Sequence, residues 1–284
     1  MKSLAAFLCC CFLLQWAVQA DETNYLQQAT SAWRAKDTAK ALELISTGIK
    51  VDPKDSRLWN FRAQMRSLLK SYDEAAQDLS EAIKIDPKST FLVMERGMAR
   101  FQAGKITEAL IDFDRANETE PRMEAQNWQR GIALYYLGRY ADGRRQFETH
   151  HKVNADDVEN AVWLFMCIAR AENMEAARKA MLPLGKDDRV PMTEIYQYYA
   201  GKGTKEEVIK AARADSTEPG GQRRQVFYAL FYLAIHDDLE GKRADAIDKL
   251  EQAVTLGEPG DYMASVAAIH LKRLKEPGTT ATAP

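Results

Sequence analysis

Small and bulky apolar residues recur along the first half of the chain with a long, regular period. Pro53, Pro87 and Pro121 are evenly spaced, each after a short acidic or polar turn. Counted so that proline is position 32, units begin at Glu22, Ser56, Thr90 and Glu124. Position 8 is small throughout (Ala29, Ala63, Gly97, Gly131), as is position 20 (Ala41, Ala75, Ala109, Gly143). Position 24 is bulky: Ile45, Leu79, Phe113 and Phe147. Position 27 is Gly48, Ala82 and Ala116, then an irregular His150. Small residues belong where two helices approach, and large ones where a gap must be filled. Proline cannot continue a helix and disfavours helix in the residue before it, so each Asp-Pro or Glu-Pro predicts a helix end. The fourth unit has Ala155 in place of proline but keeps Gly138-Arg139-Tyr140-Ala141 at its inter-helix turn.

The spacing of the prolines is that of the tetratricopeptide repeat, a helix–turn–helix unit. The expected fold is therefore all-α, a tetratricopeptide-repeat superhelix (an α–α solenoid), because one such unit cannot bury its apolar face alone. After Asp157 the rhythm weakens. Helices are predicted over Val158 to Ala171, Met174 to Leu184, Met192 to Ala200 and Lys205 to Ala214, then Gln222 to Leu239 and Arg243 to Leu256. Asp261 to Leu274 is predicted to cap the stack. The expected organisation is four repeats over 21–157, an irregular helical connector over 158–216, and a final repeat-like unit with its capping helix over 217–275. Residues 276–284, rich in Thr, Ala, Pro and Gly, read as a disordered tail.

The N-terminal segment changes the picture of where the protein acts. Lys2 precedes an apolar run from Leu4 to Val18, followed by Val18-Gln19-Ala20 and then Asp21-Glu22. This is the pattern of a secretory signal peptide over 1–20, cleaved near Ala20. The run is shorter than the ~20 residues needed to span a bilayer, so no stable membrane insertion of the mature chain is expected. Three of the 4 cysteines lie inside it, with Phe12-Leu13-Leu14 continuing beyond, which disfavours a lipid-attachment box. The remaining Cys167 lies in an apolar stretch and reads as a buried thiol. A formal net charge of -2, from 39 basic and 41 acidic residues, points to neither nucleic acid nor an anionic surface.

Candidate chemistry is sparse. His150-His151 cannot face one ligand together on a helix. His236-Asp237-Asp238 reads as a solvated helix end, where the dipole favours a cationic histidine. Gly201-Lys202-Gly203-Thr204-Lys205 lacks the spacing of a phosphate loop and reads as a helix–helix turn. No enzyme activity, cofactor or metal is expected. Arg62, Arg96 and Arg130 at position 7, with Asp78 and Asp112 at position 23, predict ion pairs between paired helices.

The expected function is binding to other proteins, on a concave face lined by the first helix of each pair. Its candidate residues are Trp33, Asn60 and Gln64, then Phe91, Met94, Met98 and Phe101, then Trp128, Ile132 and Tyr135. Aromatic and Met side chains suit the apolar anchors of a partner peptide or helix. The alternative at these positions is burial against the following helices. The Lys-plus-Asn pair that grips a C-terminal carboxylate in some such repeats is missing.

The second half resembles the NlpI-type family of bacterial envelope lipoproteins. The likeness rests on Arg130 to Tyr136 with Gly138-Arg139-Tyr140, on Asn154-Ala155-Asp156-Asp157 before Trp163-Leu164, and on Tyr196 to Gly201 with Ala211 to Asp215. Tyr228 to Tyr232 and Ala246 to Ala253 complete it. The resemblance implies a periplasmic, homodimeric scaffold that brings cell-wall hydrolases to a processing protease. This sequence lacks the lipobox, so a soluble periplasmic or secreted adaptor is expected. The alternative is a structural subunit or assembly factor of an envelope or secretion complex.

Overall fold

The computed structural model describes residues 25–216 and 218–276. The expected signal segment over 1–20 and all but Glu276 of the expected tail lie outside the described residues. The described chain is helical, and it divides into two compact units at Arg96–Gly97.

The first unit holds α1 (25–34), α2 (Thr38–Val51), α3 (Ser56–Leu68), α4 (Tyr72–Ile85) and the start of α5 (Thr90–Gln102). Ala29, Ala41, Ile45, Leu58 and Met65 form its core, with Ala63, Ala75 and Leu79 also buried. The inter-helix turns repeat in backbone detail. Lys36 and Lys70 adopt left-handed backbone at φ 62° and 61°. The next residue donates to a carbonyl five positions back: Asp37 to Ala32, Ser71 to Arg66. This closure satisfies carbonyls that the helix end would leave open. Asp52 and Asp86 close α2 and α4 just before Pro53 and Pro87.

The second unit continues with α6 (Ile106–Thr119), a 3-10 turn (Pro121–Gln126), α7 (Trp128–Tyr136), α8 (Tyr140–His151) and α9 (Val158–Ala171). Gly104 and Gly138 take the left-handed turn position one period apart, in register with Lys36 and Lys70. Then come α10 (Met174–Lys179), α11 (Met192–Tyr199), α12 (Lys205–Ala212), α13 (Gly221–Leu239), α14 (Arg243–Leu256) and α15 (Tyr262–Lys275). α10 ends at Lys179 rather than running on to Leu184, since Pro183 cannot be accommodated in a continuing helix. The segment 200–204 is the helix–helix turn its sequence predicts, with a capping box between Thr204 and Glu207.

Volume is balanced across the repeats. Position 8 is Ala where position 24 is Ile or Leu, and Gly where position 24 is Phe. A Cβ on Gly97 would lie 2.6 Å from the Phe113 ring, and one on Gly131 2.5 Å from that of Phe147. The ring occupies the space a methyl group would need.

The position-7 arginines do more than the sequence suggests. Arg62 binds Asp78 of its own repeat through two bonds of 2.9 and 2.7 Å, and also Ser46 of the preceding repeat at 3.2 Å. Arg96 reaches Ser80 at 3.2 Å, and Arg130 reaches Asp114 at 2.5 Å and Gln146 at 3.1 Å. Ser46, Ser80 and Asp114 all occupy position 25. Each arginine therefore stitches a repeat to the one before it.

α9 is the centre of the second unit. Everything from Val158 to Ile168 is buried except Glu159. Cys167 is buried as expected, and burial pushes its thiol pKa up, away from reactivity. His150, irregular in the repeat, is also buried; its Nδ1 lies 2.8 Å from the Ala125 carbonyl and ties α8 to the 3-10 turn.

Candidate binding face and an aromatic cavity

The expected groove residues fall into two groups. In the first unit Trp33 and Asn60 are half-buried, Gln64 is exposed, Met94 is buried and Phe91 is 54% exposed. An open phenylalanine on a first helix is an apolar anchor point facing water. In the second unit Phe101, Ile132 and Tyr135 are buried, while Met98 and Trp128 are half-buried.

What covers part of the second group is the chain's own α15. Tyr262 stacks on Phe101 with centroids 5.1 Å apart and meets Trp128 edge-on at 5.3 Å. Gln102 bonds Ser265 at 3.1 Å. Tyr136 Oη lies 3.1 Å from His270 Nδ1, and the other ring nitrogen of His270 lies 3.2 Å from Asp238. Asp238 also pairs with Arg170. Arg273 lies over the Tyr136 ring and donates to the Tyr136 carbonyl at 2.7 Å. The capping helix is thus seated on the first-helix face of the second unit by aromatic stacking and a buried polar relay. Phe101, Ile132 and Tyr135 there are part of the core, while Met98 and Trp128 remain half-buried.

Beside this seat lies a cavity of about 230 Å³. It is lined by Trp128, Phe147, Trp163, Tyr228 and Tyr262, by Asn160, and by Asp157, Glu159 and Asp261. Asp157 and Asp261 are there because they cap α9 and α15, accepting from Glu159 N and Met263 N. Glu159 accepts from Tyr232 Oη at 2.6 Å and from Arg189 at 2.7 Å. Burial nevertheless raises its carboxyl pKa to about 7.

Asn160 explains how the repeat becomes a site. In α7, Asn127 donates to the Phe113 carbonyl, and its Oδ1 caps the helix by accepting from Arg130 N. Asn160 repeats the first bond, to the Phe147 carbonyl at 3.2 Å. It sits inside α9, where Asp157 already caps, so its Oδ1 has no hydrogen-bond partner. Trp163 Nε1 and Tyr262 Oη are buried without partners as well. Of the cavity lining, sequence reasoning named Trp128 and missed the rest. The displaced asparagine is visible only once the register is known to slip by one residue between Asn127 and Asn160.

His236, Asp237 and Glu240 bring one possible ligand atom each within 4.8 Å of one another. Asp237 is already held by Lys205 and by Lys249, the latter at 3.0 Å, and Glu240 by Lys242 at 2.6 Å. Three ammonium groups repel a metal ion, so the cluster is an ion-pair network. The sequence reading of a solvated, cationic His236 is corrected here: the ring is 2% exposed, and burial lowers its pKa to about 4.

Residues 26–90 match the tetratricopeptide-repeat family. No curated protein sequence matches the chain. Among solved structures, a tetratricopeptide repeat protein from Parabacteroides merdae is similar to it with a TM-score of 0.58 at 13% identity, over 90% of this chain and 99% of that one. MamA is similar with a TM-score of 0.52 at 14% identity, over 70% of this chain and 97% of that one. At such identities the likeness is one of fold. The chain has the all-α tetratricopeptide-repeat fold. Repeats of this class serve as protein-interaction scaffolds. These likenesses name the repeat and not the NlpI-type family. No helix among the described residues is long and apolar enough to cross a membrane.

Proposed function

We propose that the protein is an exported, periplasmic adaptor that binds other proteins and brings an envelope client, such as a cell-wall hydrolase, to a protease. The observation that carries the binding reading is the first-helix face of the first unit. It presents Phe91, 54% exposed, on the same repeat face as Gln64, which is also exposed. Repeat position fixes these side chains on rigid helices, and a rigid apolar anchor with polar neighbours suits a partner segment. Export is supported by the signal-like pattern over 1–20, and the client class by the NlpI-type resemblance of the second half. That resemblance also supports a homodimer.

The test is affinity capture from an envelope extract with the mature protein and with Phe91→Glu. The wild type is expected to retain a protease or wall hydrolase, and the variant to lose it at unchanged thermal stability. Equal capture by both would overturn the assignment of this face. Capture of neither client class would overturn the adaptor reading.

A further inference from the structure

We infer that the cavity between α7, α8, α9, α13 and α15 is an aromatic cage for the cationic end of a lysine or arginine side chain carried by the bound partner. This deepens the protein-binding function proposed above and rests on it. The cage would be a subsite of that function rather than a separate activity.

The walls supply the first argument. Trp128 meets Tyr262 edge-on at 5.3 Å, Trp163 stacks on Phe147 at 6.3 Å with rings 21° apart, and Tyr228 completes the lining. A cation over such faces is attracted by the ring quadrupoles, most strongly where water is excluded. The second argument is charge. Asp157, Glu159 and Asp261 all line the cavity, and Arg189 bonds the first two at 2.7 Å each. Three carboxylates against that guanidinium favour a cation and exclude an anionic ligand. Burial raises the pKa values of both Glu159 and Asp261, so each carboxylate gains from a cation placed beside it.

The orphaned polar atoms show that more than charge is to be met. Asn160 and Trp163 are each 2% exposed, and Asn160 Oδ1 and Trp163 Nε1–H have no partner. Buried groups of this kind are nearly always paired, and leaving one unpaired costs about 1–3 kcal/mol. Asn160 can accept from an ammonium or guanidinium N–H. Trp163 and Tyr262 can donate, and a bare cation offers nothing to receive those bonds, whereas a peptide carbonyl does. The space agrees, being smaller than the roughly 300–1,000 Å³ of drug-sized sites. Tyr228 also borders a second cavity of about 620 Å³, which contains Gln225 with another orphaned buried acceptor.

The experiment titrates the mature protein with three probes while following the Trp163 indole N–H by NMR. The probes are the capped tripeptides Gly-Lys-Gly and Gly-norleucine-Gly, of matched length, and n-butylammonium. The lysine peptide is expected to shift the indole resonance saturably and to bind at least about tenfold tighter than the norleucine peptide. Trp128→Ala and Glu159→Gln are each expected to weaken it by about tenfold. Thermal melts identify a variant that fails to fold, and Tyr228→Ala then takes its place. Equal binding of the two peptides would overturn the cage. Binding of n-butylammonium without the lysine peptide would overturn the partner side chain as its occupant. If the cage fails while Phe91-dependent capture persists, the adaptor function stands alone. If the lysine peptide binds but extracts yield no partner, it is the adaptor function that fails.

Discussion

Two residues show how closely the repeat is tuned. Gly131 faces the Phe147 ring so closely that an added Cβ would fall at 2.5 Å. Gly131→Ala gains helix propensity yet overpacks the pair, and the packing term wins at about 1–3 kcal/mol. Chemical denaturation should show that loss, and Phe147→Leu should recover most of it by restoring the Ala-with-Leu pairing of the second repeat. Absence of rescue would place the cost elsewhere. Glu159 gives a pH signature. Its folded pKa of about 7 lies above its ordinary 4.5, so the folded state holds the proton more tightly. Below 4.5 the group is protonated in both states and costs nothing. Stability falls as pH rises from 4.5 to 7, and above 7 the full penalty remains. Glu159→Gln does not titrate, so its stability relative to wild type should grow across that window. A gap that stays flat would contradict the buried-carboxylate reading.

At the level of elements, what was legible in the sequence was local. Prolines, small positions and the Gly138 turn repeat at fixed distance, so the helix pairs up to α8 follow from counting, save that α7 starts at Trp128, after a 3-10 turn, and not at Glu124. The ends of α9, α13 and α14 were readable within a residue from their apolar stretches. α10 stops short of its apolar pattern because Pro183 outweighs the pattern. The seat of α15 was not legible. Its contacts join Phe101 to Tyr262 and Tyr136 to His270, partners far apart in sequence with no periodic signature. The candidate positions Phe101, Ile132 and Tyr135 look the same in sequence whether a partner or the chain's own helices cover them. The seat makes its own prediction. Removing residues 261–284 should uncover the Phe101 and Tyr136 rings and raise binding of an apolar dye, with a clear fall in melting temperature. A truncated chain that melts unchanged would mean α15 contributes little to the unit.

For the molecule as a whole, class was readable from sequence and partner chemistry was not. Class follows from a repeated constraint, and repetition multiplies the signal with every unit. The cavity arises where repetition fails: α7 starts just after Asn127, whereas α9 starts at Val158 and takes Asn160 inside it, and a terminal helix brings Tyr262 and Asp261 to meet it. Such a site is written once, in residues from α7, α8, α9, α13 and α15, and each of them alone looks like ordinary core or cap.

The stitching arginines carry a last consequence. Arg62 meets Ser46, and Arg96 meets Ser80, across one period. Excising residues 56–89 would bring Arg96 to face Ser46, chemically the same serine. Losing or gaining a whole period there thus preserves the arginine–serine junction, while a change one residue longer or shorter rotates the arginine away from its serine. In the first unit, the period is the quantum in which a gene encoding this chain can shrink or grow and still specify a folded protein.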